Sequence, residues 1–228
     1  MHELYNKIKK YTISDAIKIE ETDRQYIALK ELSEKISDKN LYLSLILSNA
    51  LICYQLSWKW EDYWEEFSEY FRPPPNLLLV KEGGIEHNIW VFIKQSKNNK
   101  RFIDTKIKRL EKLKPFLEQF IWKEEYYYDN MEELRNELAK TMKQKVDAKT
   151  IVFAIKMFNY WARNIYNRLE YFPENISIPI DSRLINLFEK YKWEYDNITK
   201  FYSDLSKKLN IPELHLDAII WVNYNELI

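Results

Sequence analysis

Two residues with chemically useful side chains stand where helices are predicted to begin. Lys149 opens the apolar run "KTIVFAIKMFNYW", and Asp181 follows a Pro-Ile dipeptide in "IPIDSRL". A lysine at a helix N-terminus lies at the positive end of the helix dipole, which favours the neutral amine. The neutral amine is the form that acts as a nucleophile. Lys149 is therefore a candidate for covalent catalysis by an amine.

Each of these residues also has an ordinary structural interpretation. Lys149 can be a charged residue at a helix end, with Asp147 as an ion-pair partner. Asp181 can cap the helix "SRLINLFEKY" by accepting amides of its first turn. The two residues by themselves leave the structural and the catalytic interpretation open.

The elements that must position these residues are predicted to be helices, because apolar residues recur with a helical period nearly throughout the chain. The predicted helices cover 41–56, 61–71, 105–121, 131–142, 150–168, 181–190 and 193–209. The prolines of "RPPPN" at 72–76 end a helix, since proline lacks an amide donor and disfavours helix in the residue before it. Only "LLLVKEGG" and "HNIWVFI" hint at strands, and both could equally be helix or loop. The pattern predicts an all-α fold of about ten helices.

Composition argues against several classes of site. The chain has 228 residues but only two glycines, which leaves little material for the glycine-rich phosphate loops of Rossmann and P-loop proteins. Cys53, the single cysteine, lies in an apolar run and is interpreted as a buried residue. The three histidines, His2, His87 and His215, show no metal-ligand spacing. We therefore expect no metal site, no disulfide and no cofactor.

Charge and hydropathy limit the classes of partner that the protein can have. No apolar run is long enough to cross a bilayer, and the N-terminal segment lacks the apolar core of a signal peptide. We therefore expect a cytoplasmic protein that does not associate with membranes. Lysine plus arginine and aspartate plus glutamate number 35 each, so net charge gives no argument for a nucleic-acid partner.

One local patch is strongly basic. Residues 94–114 carry nine basic residues against Asp104 and Glu111. The patch includes the polar loop "SKNNKR", which is expected to present amides and cations together. That combination fits phosphate binding, but a solvated face of a lysine-rich helix would have the same composition.

Five blocks in order resemble the archaeal 8-oxoguanine (GO) DNA glycosylase/AP lyase family, a branch of the helix-hairpin-helix DNA glycosylase superfamily. They are "DRQYIAL" (23–29), "SNALICYQLSWKWEDYWEEFSEYF" (48–71), "KTIVFAIKMFNYW" (149–161), "IPIDSRL" (178–184) and "IPELHLDAIIW" (211–221). Two departures from the superfamily also match this branch. The lysine-to-aspartate interval is long, and the hairpin "LAKTMKQKVDA" before the lysine contains no glycine. The resemblance fades between 73 and 130.

The resemblance implies a bifunctional enzyme that excises 8-oxoguanine from DNA and then cuts the strand. The amine of Lys149 would displace the damaged base at C1′ of the deoxyribose and form a Schiff base, which permits β-elimination. Asp181 would help to deprotonate the lysine and offset the positive charge that develops on the sugar. Lys156, the nearest competing amine, lies two turns further along the same helix and is too deep to take this role.

The same resemblance assigns a pocket for a base flipped out of the duplex. Phe153 and Trp221 would stack on its two faces, although without the resemblance each would be interpreted as a core residue. The groups that would make polar contacts to the base are Gln25, Trp64, Asp217 and the backbone carbonyl of Pro179. One acceptor must receive the hydrogen that 8-oxoguanine, unlike guanine, carries on N7. The residues leave open which group provides it.

With DNA as the implied substrate, the basic loop is interpreted as a phosphate contact, with Lys97, Lys100 and Arg101 as candidates. Superfamily hairpins often hold a monovalent cation through backbone carbonyls, but the altered hairpin gives no basis for a metal here. The expected partner is double-stranded DNA that contains 8-oxoguanine, with single-stranded DNA as a further possible substrate. The protein is expected to act as a monomer.

The implied architecture is two helical subdomains with a cleft between them. The central subdomain would cover 46–169 and include a variant helix-hairpin-helix motif at about 131–160. The terminal subdomain would combine 1–45 with 170–228. Three alternatives stay open: a glycosylase for another lesion, a non-catalytic helical protein that binds DNA or a protein partner, and a purely structural role for the named residues.

Overall fold

The computed structural model describes residues 1–36, 38–72, 84–120, 122–193 and 195–228. Within these ranges every regular element is a helix, so the predicted all-α fold class is confirmed. In chain order the helices are α1 (His2–Ile8), α2 (Ile13–Glu21), α3 (Arg24–Ser33), α4 (Lys39–Ile52), α5 (Trp60–Phe71), α6 (Ile85–Gln95), α7 (Ile103–Phe120), α8 (Glu124–Asp129), α9 (Met131–Met142), α10 (Lys149–Tyr166), α11 (Ser182–Tyr191), α12 (Ile198–Leu209) and α13 (Glu213–Leu227).

The chain forms two compact units, one of residues 24–170 and one of residues 1–23 with 171–228. Residues 24–45 lie in the larger unit. The functional subdomains expected from the resemblance, 46–169 and 1–45 with 170–228, stay a prediction.

The larger unit is built around two helices that are buried on all sides. Every residue from Ile151 to Arg163 of α10 is buried, as is every residue from Tyr42 to Ile52 of α4, and the two helices pack against each other. A helix at the surface buries only one stripe, so all-round burial marks the centre of a unit. Helix α3 packs against both α5 and α10, and α9 packs against α10. The first turn of α10 is therefore fixed by a rigid helix behind it.

The turn between α9 and α10 is made without glycine. Lys143 ends α9 in the left-handed conformation, with φ 52° and ψ 49°, a position usually occupied by glycine. Its amide donates to the carbonyl groups of Ala139 and Lys140, and the Gln144 amide donates to Ala139 at 2.9 Å. These bonds satisfy carbonyls at the end of α9 and offset the roughly 1–2 kcal/mol that a Cβ costs in this conformation.

The smaller unit contains α1, α2, α11, α12 and α13. Helix α13 packs against α1, α2 and α12, and α11 packs against α1 and α12. Its core includes Leu187 of α11, Phe201 of α12 and Ile219 of α13, none of which has exposed surface. The N-terminal and C-terminal segments of the chain therefore share one hydrophobic core.

Where helix ends differ from the prediction, local capping gives the reason. Helix α12 begins at Ile198 rather than 193 because the Asn197 side chain accepts the Lys200 amide at 2.8 Å and caps the helix there. Helix α4 ends at Ile52 rather than 56, since Cys53 leaves the helical region with φ −77° and ψ 70°.

Of the alternatives left open for "HNIWVFI", the structure has the helix, because this stretch belongs to α6. Ile89, Phe92 and Ile93 are buried at helical spacing, a pattern that a short apolar run does not distinguish from a strand. All of the other stretch, "LLLVKEGG", except its final glycine, and most of "RPPPN" lie outside the described residues.

Candidate active site

Lys149 is the first residue of α10, and its side chain is exposed. No side chain caps this helix end, since Ala148 occupies the capping position. The lysine Nζ lies 4.8 Å from the centroid of the Trp60 ring, within cation–π range. Lys149 forms no ion pair with Asp147 in the described structure. The amine is thus accessible, held against an aromatic face and not neutralised by its sequence neighbour.

An aromatic group lies directly behind this amine. The Trp60 ring meets the Phe153 ring edge to face at a centroid distance of 4.6 Å, and Phe153 lies 6.2 Å from Trp64. Phe153 is 4% exposed and Trp64 has no exposed surface. The sequence predicted roles for Phe153 and Trp64 but missed Trp60. Its signal was its spacing of four residues from Trp64, which puts both indoles on one face of α5.

Gln25 lies on α3 and is 6% exposed. Helix α3 packs against α5, which carries Trp64, and against α10, which carries Phe153. The structure therefore places three of the predicted base-binding residues on mutually packed helices of the larger unit.

Lys156 occupies a different environment from Lys149, although both lie on α10. It is 6% exposed, and its Nζ lies 5.8 Å from the centroid of the Tyr160 ring. The competing amine is thus enclosed within the larger unit, as the helical spacing predicted.

Arg109 fixes the hairpin and the start of α10 to the rest of the unit. Its Nη2 donates to Gln144 Oε1 at 3.0 Å and to Thr150 Oγ1 at 3.1 Å, while its Nε donates to the Leu51 carbonyl at 2.9 Å. Thr150 is the neighbour of Lys149, so this network holds the backbone beside the candidate nucleophile. Sequence reasoning gave Arg109 no role beyond its place in the basic patch.

The basic loop, residues 96–101, turns its cations outward and its amides inward. The exposed cations are those of Lys97, Lys100 and Arg101. The Lys97 amide donates to Glu66 Oε1 at 2.6 Å, and the Asn98 amide and side chain both donate to Glu66 Oε2. For Lys97 and Asn98, the expectation that the loop presents amides together with cations is therefore wrong, because a carboxylate of the protein already binds their amides.

A buried amine lies beneath the same loop. Lys106 has no exposed surface, and its Nζ donates to Asn99 Oδ1. Burial lowers the pKa of Lys106 to about 8, against a smaller opposite effect of nearby Cys53. Cys53 is buried, as predicted, and its burial raises the pKa of the thiol. This thiol is therefore held in its unreactive form.

Asp181 is the N-cap of α11 in the smaller unit. Its Oδ1 accepts the amides of Arg183 and Leu184, each at 3.0 Å. Oδ1 therefore has the capping role that the structural interpretation gave to Asp181. Oδ2 takes no part in the cap, and the residue is only partly buried, so the second oxygen can serve another purpose.

The remaining candidates of the smaller unit are close to this cap. Pro179 is buried, and Asp217 and Trp221 are partly buried one turn apart on α13. Burial raises the pKa of Tyr202 on α12, and the negative charges of Asp181 and Asp217 raise it further, so both carboxylates lie near this phenol.

Trp221 has a partner that sequence reasoning missed. The Arg183 guanidinium carbon lies 3.4 Å from the centroid of the Trp221 ring, a stacking distance. Within the described ranges, no aromatic ring packs on this indole. The only signal in the sequence was that Arg183 belongs to the block "IPIDSRL".

The described residues contain no group of three or more histidine, cysteine, aspartate or glutamate side chains that could hold a metal ion. Among the described residues, no helix is both long enough and apolar enough to cross a bilayer.

Comparison with known proteins gives a consistent answer. A family model described as "AGOG: N-glycosylase/DNA lyase" matches residues 5–227. An N-glycosylase/DNA lyase of Methanococcus maripaludis is 38% identical over 206 residues, which cover 89% of this chain and 78% of that protein. One of Nanoarchaeum equitans is 39% identical over 217 residues, which cover 94% and 86%.

Among solved structures, the chain resembles an 8-oxoguanine DNA glycosylase from Pyrobaculum aerophilum, complexed with 8-oxoguanosine. The TM-score is 0.79 at 23% identity, and the match covers 97% of this chain and 86% of that one. At this identity the likeness establishes the fold.

Proposed function

The chain belongs to the AGOG family of N-glycosylases/DNA lyases, and on that premise we propose that it excises 8-oxoguanine from double-stranded DNA through Lys149. The observation that carries the proposal is an exposed amine at the uncapped start of a buried helix, held against Trp60. The family makes the protein a DNA glycosylase and lyase. The lesion, the nucleophile and the pocket are what we add.

In the proposed reaction, the neutral Lys149 amine attacks C1′ of the damaged nucleotide. The bond from C1′ to the base breaks, and the base leaves with the electron pair and takes up a proton. The nitrogen of the resulting aminal loses a proton, and the C1′–O4′ bond breaks while O4′ takes up a proton, so that a cationic imine forms. Loss of a C2′ proton from this imine then expels the 3′ phosphate and cuts the strand. The face of Trp60 favours a cation beside it and therefore favours the imine.

Asp181 is proposed to assist through its Oδ2. That oxygen lies outside the helix cap and can accept the lysine proton or stabilise positive charge on the sugar, while Oδ1 keeps the side chain fixed.

The lesion is proposed to be read by stacking and by hydrogen bonds to its edge. Trp221, backed on one face by Arg183, has its other face for a purine, and Phe153 provides the second ring. Asp217 lies one turn from Trp221 and can accept from N1 and N2 of the base. The further contacts are assigned to Gln25, Trp64 and the Pro179 carbonyl. A buried acceptor left unpaired by guanine would give strong discrimination.

The exposed cations of the basic loop, Lys97, Lys100 and Arg101, are proposed to contact DNA phosphates. Because its substrate is DNA, the enzyme is proposed to work inside the cell. It is also proposed to act as a monomer.

The test of the nucleophile is borohydride trapping on a labelled duplex that carries one 8-oxoguanine opposite cytosine. We expect the wild type and Lys156→Gln to form a covalent adduct and Lys149→Gln to form none while it still binds the duplex. Lys156→Gln is the matched control, since it removes an amine from the same helix. An adduct that persists in Lys149→Gln would disprove the assignment.

The test of the lesion is a panel of duplexes that differ in one base. We expect excision of 8-oxoguanine and not of guanine. Asp217→Asn should lower the rate of excision without creating activity on guanine, because both bases carry the N1 and N2 hydrogens that this carboxylate would accept. Equal excision of another lesion would support the alternative of a glycosylase with a different substrate. Tight binding of every duplex without excision would leave a non-catalytic DNA-binding protein.

A further inference from the structure

The segment that carries Pro179 and Asp181 is held at two points by buried side chains of α13. The Ile178 amide donates to Glu213 Oε2 at 2.8 Å, and the Phe172 amide donates to His215 Nε2 at 3.2 Å. Glu213 is 4% exposed, and His215 has no exposed surface. Two backbone amides of this irregular segment are thus satisfied by side chains of the helix that also carries the two pocket candidates Asp217 and Trp221.

The His215 ring is itself fixed from behind. Its Nδ1 lies 2.7 Å from Glu20 Oε1 of α2, and both side chains are completely buried. Because the Phe172 amide donates to Nε2, that nitrogen carries no proton and Nδ1 donates to Glu20. The ring orientation is therefore set from α2, and the entry of the segment is anchored to the core of the smaller unit.

Burial of the Glu213 side chain costs free energy, and the side chain holds a single peptide group. Among the described residues its only hydrogen-bond partner is the Ile178 amide. Burial raises the pKa of Glu213 to about 7, although the bond from Ile178 acts in the opposite direction. A buried carboxyl group with one partner lowers stability relative to an apolar residue of the same size. The most direct role of this acid is therefore to hold the Ile178 peptide, whose buried amide it accepts.

We propose that Glu213 is a positioning residue for base excision. By holding the Ile178 amide, it sets the direction of the Pro179 carbonyl and the start of α11, where Asp181 lies, relative to the pocket candidates on its own helix. The inference rests on the proposed function, because Asp181 and Pro179 are assigned there. It adds that a side chain without contact to the base or the sugar determines how well they are placed.

The test compares Glu213→Gln with Glu213→Met. The two side chains are similar in size, but only glutamine keeps an oxygen that can accept the Ile178 amide. In single-turnover excision at saturating enzyme, we expect Glu213→Met to lose about tenfold or more in rate, since misplacement by about 1 Å can cost 10²-fold. Glu213→Gln should stay within about threefold of wild type, a change below 1 kcal/mol.

Two further measurements separate positioning from a general loss of structure. The affinity for the 8-oxoguanine duplex should be unchanged in both variants. Borohydride trapping at a preformed abasic site, which needs no base pocket but does need Asp181, should slow in Glu213→Met and stay near the wild-type rate in Glu213→Gln. Glu213→Asp provides a second comparison, because its shorter carboxylate reaches Ile178 only if the segment moves, and we expect it to behave like Glu213→Met.

Wild-type excision rates in Glu213→Met and Glu213→Asp would overturn the inference. A parallel loss of excision, duplex affinity and trapping would overturn it as well, because that pattern indicates a structural role. If the wild type itself fails to excise 8-oxoguanine, the proposed function fails. If wild type and both variants excise it equally, only this inference fails.

Discussion

At the scale of single residues, position on a helix separates two lysines of the same helix. Lys149 is exposed at the start of α10, and Lys156 is enclosed two turns later. Only the first can meet a nucleotide, and it is held there by Trp60. A reactive amine requires access as well as orientation, and the aromatic face supplies the orientation without neutralising the lysine.

Replacing Trp60 tests this role. We expect Trp60→Ala to slow imine formation about fivefold, since a cation–π contact is worth about 1 kcal/mol, and Trp60→Phe to retain most of the rate. The measurement is the rate of borohydride-trapped adduct at a preformed abasic site. Trp58→Ala is the control, because Trp58 is 69% exposed and lies two residues earlier, before the start of α5. Equal rates in Trp60→Ala and Trp58→Ala would contradict the role.

At the scale of elements, the basic loop shows how a side chain changes what a loop can bind. Glu66 accepts the amides of Lys97 and Asn98, so the backbone of the loop has no donors left there for a phosphate. This internal carboxylate holds the loop, so the proposed contact with DNA phosphates rests on its cations.

For the loop we expect Lys97→Gln, Lys100→Gln and Arg101→Gln each to lower the salt dependence of duplex binding by about one unit of slope per lost phosphate contact. The slope of log affinity against log salt measures this change. Lys114→Gln serves as the control, since Lys114 is an exposed cation at the far end of the basic patch. A slope unchanged by all three loop substitutions would favour the solvated-face interpretation.

The hairpin before α10 provides a second test at this scale. Lys143 is left-handed, so Lys143→Gly should raise the free energy of unfolding by about 0.5–1 kcal/mol. Lys140→Gly, an exposed position within α9, should lower it by a similar amount because glycine weakens a helix by about 1 kcal/mol. Urea denaturation of both variants checks the prediction, and destabilisation by Lys143→Gly would refute it.

At the scale of the whole molecule, two buried groups give stability opposite dependences on pH. The pKa of Glu213 is raised from 4.5 to about 7, so the folded chain binds more protons than the unfolded chain in that interval, and stability falls as pH rises through it. The pKa of Lys106 is lowered from 10.5 to about 8, so the unfolded chain binds more protons there, and stability rises with pH.

The difference in the free energy of unfolding between wild type and variant isolates the contribution of each group. We expect Glu213→Gln to gain stability relative to wild type as pH rises from 4.5 to about 7, and Lys106→Met to lose stability relative to wild type as pH rises from about 8 to 10.5. Urea midpoints measured across this range provide the test. Curves that stay parallel to the wild type would show that the two groups titrate alike in the folded and unfolded chains.

The sequence by itself determined the features that depend on neighbours along the chain. The helical period, the start of α10 at Lys149 and the cap at Asp181 are local, because a turn of helix and its cap involve residues three or four apart. For the same reason, "HNIWVFI" was ambiguous, since a short apolar run satisfies either period.

Only the tertiary structure decided which distant groups meet. The bonds from the loop to Glu66, from Ile178 to Glu213 and from Phe172 to His215 join residues that are far apart in the chain. The stack of Arg183 on Trp221 is equally non-local. Such partners are selected by how helices pack, and no periodicity or cap records that choice. The sequence could therefore name the reactive groups, whereas the packing of the helices determines what holds them.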